Sequence, residues 1–120
     1  MGYVKTYRLS KNVMNPAQVE FLTQTSLGGS ASTLNWTYSA SASGRTVRIP
    51  CKANTQYRIK PYGDALNTSI WRIATCNTDD VPNGTVGPTT VPVQTIAAAT
   101  EAPTGGTYMW TGSDVKYIVM

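Results

Sequence analysis

The 120 residues of this chain suffice for one domain with a modest core and exclude a separate cofactor-binding domain. A hydrophobic share of 41% excludes a disordered chain, and the lack of histidine excludes Ser-His-Asp and Cys-His catalysis and His-ligated zinc. Charged residues make up only 13%, against roughly 25% in a typical domain, and a composition rich in Thr, Ser, Asn and Gly favours strands and turns.

The N-terminal third contains one clear strand pattern and several weaker ones. Residues 3–9 alternate weakly, residues 15–22 fit a helical turn, and residues 18–25 fit a strand equally well. Residues 34–38 alternate cleanly between large apolar and small polar side chains. This alternation predicts a strand with Trp36 in the core.

The two cysteines, Cys51 and Cys76, are compatible with a disulfide or with two thiols. The first residues hold no apolar run typical of a secretory signal, and no stretch approaches the roughly 18 apolar residues of a membrane helix. We therefore expect a protein made in a reducing cytoplasm, with both cysteines as thiols.

A cluster of basic residues coincides with two alternating segments, residues 45–50 and 56–61. The short connection between them predicts a β-hairpin, in which Arg48, Arg58 and Lys60 share one face. Within a net charge of +4, this positive strip indicates either an acidic partner or an ordinary solvated sheet face. The strip lacks interleaved aromatic residues, which argues against a nucleic-acid-binding barrel.

Three further segments alternate in the second half, residues 69–75, 107–111 and 115–120. Turn-forming residues separate the alternating segments about every ten positions, which predicts an all-β sandwich or barrel. In residues 107–111 the side chains of Tyr108 and Trp110 fall on one face, beside glycine-rich turns. If they are exposed together, these rings would form a platform for a sugar.

Three short segments carry a resemblance to a known module: KANTQYRI at 52–59, IWRIAT at 70–75 and WTGSDVKYIV at 110–119. Together they resemble a β-sandwich module of tail and surface proteins of tailed bacteriophages, which is jelly-roll-like and similar to carbohydrate-binding modules. The resemblance covers roughly residues 45–120. It implies a part of a virion, assembled in the cytoplasm of the host bacterium and exposed on the particle surface.

We therefore expect a single antiparallel β-sandwich, jelly-roll-like, spanning residues 31–120, with an extended N-terminal arm of residues 1–30. The expected function is non-enzymatic: a structural protein on the phage surface, of the capsid-decoration or head-fibre type, that docks by its arm. The alternative is a carbohydrate-binding or receptor-binding module of a phage tail protein. No catalytic residue, cofactor or metal is expected.

The expected partners are other virion proteins of the capsid or tail, further copies of the chain, and a cell-surface glycan, but neither a membrane nor nucleic acid. Nine residues are the candidates for partner contacts. They are Tyr3, Lys5, Tyr7, Arg8, Arg48, Arg58, Lys60, Tyr108 and Trp110.

Overall fold

The computed structural model describes residues 14–30, 32–59, 71–100 and 106–120. Within these ranges a short 3-10 helix, Pro16–Gln18, precedes ten strands, and the Asn15 side chain caps it by accepting from the Ala17 N–H at 3.0 Å. The strands are β1 Glu20–Thr23, β2 Thr25–Ser30, β3 Thr33–Tyr38, β4 Arg45–Pro50, β5 Gln56–Ile59, β6 Trp71–Cys76, β7 Thr90–Val91, β8 Gln94–Thr100, β9 Thr107–Trp110 and β10 Tyr117–Val119.

The strands form three antiparallel sheets. A central sheet has the order β1-β4-β10-β6-β8, a second sheet has the order β2-β3-β7, and β5 pairs with β9 in a two-stranded sheet, here called the ribbon. This architecture confirms the predicted all-β sandwich. The jelly-roll subtype stays a prediction.

The main core lies between the central sheet and the β2-β3-β7 sheet. Its buried members are Leu27, Leu34, Trp36, Ala74, Cys76, Val91, Ala98 and Val119. Trp36 has no exposed surface, and its indole N–H donates to the Thr46 hydroxyl at 3.0 Å. Thr46 in turn lies 2.7 Å from the Thr25 hydroxyl, which donates to the Leu22 carbonyl at 2.9 Å. The indole N–H of Trp36 and the hydroxyls of Thr46 and Thr25 therefore all have hydrogen-bond partners inside the core.

A second, smaller core covers the opposite face of the central sheet. Ile73 of β6 and Ile118 of β10 are buried there against Met109 of the ribbon, with Tyr57 and Ile59 packed around them. Successive residues of a strand point to opposite faces, so Ile73 and Ile118 face the ribbon while their neighbours face the main core. The central strands are consequently apolar on both faces.

The predicted hairpin between the segments 45–50 and 56–61 is wrong. Strand β4 pairs with β1 and β10, whereas β5 pairs with β9 in the ribbon. The connection crosses from one layer to another, and Asn54 adopts a φ of 49° in it while its N–H donates to the Gly112 carbonyl at 2.6 Å. A short turn-forming connection is thus used to change layers rather than to reverse a strand within one sheet.

Residues 20–30, which the sequence assigned to the arm, form strands β1 and β2 and pair within the two larger sheets. Of the predicted arm of residues 1–30, residues 1–13 lie outside the described residues, and the arm stays a prediction. In the part of the chain that the structure describes, no helix is long and apolar enough to cross a bilayer.

Both cysteines are free thiols, as expected from the sequence. Cys76 is buried in the main core, and Cys51 is partly buried beside the ribbon core. Burial disfavours the charged thiolate and raises the pKa of Cys51 to about 11.

Candidate binding surface

The ribbon has one inward face and one outward face, set by the register of its two strands. Tyr57 pairs with Met109, and both point toward the central sheet. The positions that alternate with them point outward, because side chains of a strand switch face at every residue. The outward positions are Gln56, Arg58, Tyr108 and Trp110, which form two cross-strand pairs and are called the aromatic face below.

Two large aromatic rings stand exposed on this face. Tyr108 is 62% exposed and Trp110 is 60% exposed. They lie two residues apart on β9, so their Cα atoms are separated by about 6.6 Å, given a rise of roughly 3.3 Å per residue. This separation places the rings side by side, as the alternation of residues 107–111 predicted.

Polar side chains of β5 flank the two rings. The Arg58 guanidinium carbon lies 5.6 Å from the centre of the Tyr108 ring, within the range of a cation–π contact. Gln56 lies opposite Trp110 in the register and brings a side-chain amide to the same face. The aromatic face therefore combines flat apolar surface with hydrogen-bond donors and an acceptor.

A buried threonine fixes the end of the ribbon next to Trp110. The Thr111 hydroxyl donates to the Lys52 carbonyl at 2.7 Å and accepts from the Thr55 N–H at 3.0 Å. The Thr111 N–H donates to the Thr55 carbonyl at 3.0 Å. These bonds fix the backbone directly after Trp110 to the connection between β4 and β5. Sequence reasoning missed Thr111, because nothing in a Thr-Gly turn signals burial.

Arg48, a predicted partner-contacting residue, is not on the surface. Its guanidinium pairs with the Glu20 carboxylate through Nε and donates from Nη1 to the Asp79 carbonyl at 2.8 Å. It also stacks over the Tyr117 ring at 4.1 Å from the ring centre. Only 8% of Arg48 is exposed, because these three partners satisfy its charge within the protein.

The predicted basic strip is therefore wrong in its arrangement. Arg48 lies inward on β4 of the central sheet, while Arg58 is outward on β5 of the ribbon. The alternation of residues 45–50 predicts one buried and one solvated face, but both faces of β4 are covered. Thr46 and Arg48 are buried on one face, and Ile49 packs against the ribbon core on the other. The Arg48 position thus stabilises the fold and is not available to an acidic partner.

A small polar cluster extends the Arg48 contacts to the surface. The Asp79 carboxylate accepts from the Tyr117 hydroxyl at 2.9 Å and from the Lys116 ammonium at 3.1 Å. These two hydrogen bonds hold the pKa of Asp79 below its ordinary value, and the bond to Asp79 raises the pKa of Tyr117. Lys116 therefore contributes to positioning Asp79, which lies in the loop that follows β6.

Five of the nine candidate residues lie outside the described ranges and stay predictions: Tyr3, Lys5, Tyr7, Arg8 and Lys60. Of the described candidates, the structure brings together Arg58, Tyr108 and Trp110 and separates Arg48 from them.

Comparison with known proteins adds no relative. No family model matches the chain, and neither a curated protein nor a solved structure matches it. The resemblance to phage surface modules therefore stays a prediction.

Proposed function

We propose that this chain is a non-enzymatic binding domain of a phage particle surface that recognises carbohydrate through the aromatic face. The observation that carries the proposal is the side-by-side exposure of Tyr108 and Trp110 on a fixed ribbon. Of the two functions that the sequence suggested, this observation favours the carbohydrate-binding one. The virion setting rests on the resemblance of the segments 52–59, 70–75 and 110–119.

The physical chemistry of the aromatic face suits a sugar. Aromatic side chains bury roughly 150–250 Å² each when they are covered, so two uncovered rings leave a large apolar area in water. A pyranose ring presents an apolar face of C–H groups that covers such rings, and its hydroxyls pair with amide and guanidinium groups. Gln56 and Arg58 supply these groups beside the rings.

The same face is a poor platform for nucleic acid. Phosphate contacts supply most of the affinity in such complexes and require several cations along one surface. Of the four residues of the aromatic face, only Arg58 is cationic, since Arg48 is turned into the protein. We therefore expect little dependence of glycan affinity on salt concentration.

A glycan array followed by calorimetric titration of the best ligand tests the proposal. Replacing a central aromatic contact in an interface commonly costs about 2 kcal/mol or more, so Trp110→Ala should weaken binding by tenfold or more. Phe21→Ala is the matched control, because Phe21 is an exposed aromatic residue, at 78%, on β1 rather than on the ribbon. It should bind like the parent protein.

The proposal fails if the parent protein binds no glycan on the array, or if Trp110→Ala and Phe21→Ala weaken binding equally. Thermal melts of both variants separate lost binding from lost folding, because neither side chain is buried.

A second function, attachment to a neighbouring virion protein, is favoured by the edge of the central sheet. Among the strands that the structure describes, β1 is the outermost at one side of that sheet, and its Phe21 is exposed. An exposed edge strand pairs readily with a strand from another chain.

Deletion of residues 1–12 tests the expected docking arm: particle attachment should be lost while the far-ultraviolet circular dichroism spectrum is retained. If attachment survives, the arm is not the docking element.

A further inference from the structure

The loop between β6 and β7 contains an Asn-Gly pair, Asn83 and Gly84, in a hydrogen-bonded turn. The side-chain oxygen of Asn83 accepts from the Thr85 N–H at 2.6 Å and from the Val86 N–H at 3.2 Å. The Asn83 N–H donates to the Pro88 carbonyl at 2.9 Å. The loop therefore fixes both the backbone and the side chain of this asparagine.

The backbone nitrogen of Gly84 is a nucleophile next to the Asn83 side-chain amide. Its attack on the Asn83 Cγ closes a five-membered ring, so both reacting groups belong to one short stretch of chain. Within the described residues the Gly84 N–H donates to no acceptor, and Gly84 is exposed. Water and hydroxide therefore reach this nitrogen, and glycine has no side chain to shield it.

The two N–H groups on the Asn83 side-chain oxygen stand where negative charge develops. Attack on Cγ turns this oxygen into an oxyanion, and donors roughly 2.7–3.1 Å from such an oxygen stabilise the tetrahedral intermediate. The Thr85 and Val86 N–H groups lie close to these distances, at 2.6 and 3.2 Å. The turn thus supplies an oxyanion hole for a reaction of its own side chain.

Contact with Tyr38 holds the turn in place. A Cβ atom at Gly84 would lie 2.2 Å from Cε1 of the Tyr38 ring, so the ring occupies the space of a side chain. The Tyr38 hydroxyl donates to the side-chain oxygen of Gln24 at 3.3 Å. Glycine is therefore required at this position by close packing as well as favoured by the chemistry.

We infer that Asn83 is a site of intramolecular deamidation that the folded loop promotes. Gly84 N loses its proton to water or hydroxide and forms a bond to the Asn83 Cγ. The bond from Cγ to the amide nitrogen then breaks, and this nitrogen takes up a proton and leaves as ammonia. Water opens the resulting succinimide at either carbonyl, which gives aspartate or isoaspartate, and no oxidant or reductant is consumed.

The modification would alter the charge and the packing of the loop. Either product carries a carboxylate and lowers the net charge of +4 by one. Isoaspartate also adds a methylene to the main chain directly before Gly84, which is closely packed on Tyr38. Val81 of the same loop packs against the main core, so a displaced loop uncovers the core at this end. The reaction does not depend on glycan binding, and its failure would leave the proposed function untouched.

Incubation of the full chain at mildly alkaline pH, folded and in urea, tests the inference. Ammonia release and peptide mapping by mass spectrometry give the rate at Asn83, which should be about tenfold or more higher in the folded protein. Asn54 is the internal control, because it is an exposed loop asparagine whose following N–H, that of Thr55, donates to the Thr111 hydroxyl at 3.0 Å. It should stay unmodified in the folded protein.

Two substitutions of one residue isolate the oxyanion hole. Thr85→Pro removes the N–H at 2.6 Å and should slow the reaction about tenfold or more, whereas Thr85→Val keeps this N–H and should react like the parent protein. If Thr85→Pro distorts the loop, Val86→Pro removes the second donor instead. The inference is overturned if folded Asn83 reacts no faster than in urea, or if Thr85→Val slows the reaction as much as Thr85→Pro.

Discussion

The two layers that flank the central sheet use their tryptophans in opposite ways. In the β2-β3-β7 sheet, Trp36 is fully buried and donates its indole N–H to Thr46. In the ribbon, Trp110 is 60% exposed, while Met109 and Tyr57 make the contacts with the central sheet. Both tryptophans lie in strands whose side chains alternate between two faces. Whether the face that carries the tryptophan is covered by another sheet therefore decides whether the ring is part of the core or exposed.

This difference indicates a division of work within one small protein. The three-stranded sheet and the central sheet supply the main core and its satisfied hydrogen-bond chain. The ribbon is held by one face, with a few apolar side chains, and leaves its other face to the solvent. An element that is anchored by one face can carry binding residues on the other without loss of stability.

The largest expected effect follows from Trp36→Ala. Deleting a fully buried tryptophan removes about 3–5 kcal/mol from the free energy of unfolding, and Thr46 also loses a hydrogen-bond donor. Trp110→Ala should change the same quantity by less than about 0.5 kcal/mol, as exposed positions do. Urea denaturation measures both. Equal losses in the two variants would contradict the division between core and binding face.

Met109→Ala should have the next largest effect and act locally. Met109 is the buried contact of the ribbon with Ile73 and Ile118, so its loss should cost about 2–4 kcal/mol. Amide hydrogen exchange should accelerate in β5 and β9 more than in β3, because the ribbon loses its anchor while the main core remains. Uniform acceleration in all strands would show that the ribbon and the main core unfold together.

Arg48→Met should cost about 1–3 kcal/mol, because it removes charge-assisted hydrogen bonds to Glu20 and to the Asp79 carbonyl. Glu20→Gln should cost less, since Glu20 is 48% exposed and water screens its charge. Chemical denaturation of both variants gives the comparison. If Arg48→Met lowers the free energy of unfolding no more than Arg58→Met does, Arg48 is a surface residue and the predicted basic strip is correct.

The smallest expected effect concerns the Cys51 thiol. Its pKa is raised by burial from 9.0 to about 11, so at pH 8 its thiolate fraction should fall about 100-fold below that of the unfolded chain. Because the thiol of the unfolded chain ionises more readily than the buried one, the free energy of unfolding should fall as the pH rises from about 9 toward 11. Disulfide-exchange labelling of Cys76→Ser, with and without urea, measures the difference. Equal labelling rates with and without urea would show that the Cys51 thiol is exposed to solvent in the folded protein.

The outward face of the ribbon could be predicted from the sequence because it depends on local alternation. The alternation of residues 107–111 sets Tyr108 and Trp110 on one face, and that of residues 34–38 sets Trp36 in the core. Both assignments need only the neighbours of each residue along the chain. The turn signals likewise suffice for the all-β class.

Strand pairing and the position of Arg48 could not be predicted in this way. The pairing of β4 with β10 brings together residues about 70 positions apart, and nothing local indicates it. Arg48 is buried because Glu20, Asp79 and Tyr117 converge on it from other strands and loops.

The most direct test of the aromatic face as the binding surface uses the indole N–H resonances of the three tryptophans. The best glycan from the array is titrated into 15N-labelled protein, and Trp110→Phe and Trp36→Phe assign two of the signals. We predict that the Trp110 indole resonance shifts in a saturable manner, while that of buried Trp36 stays in place. Binding that leaves the Trp110 resonance unmoved would contradict the proposed function.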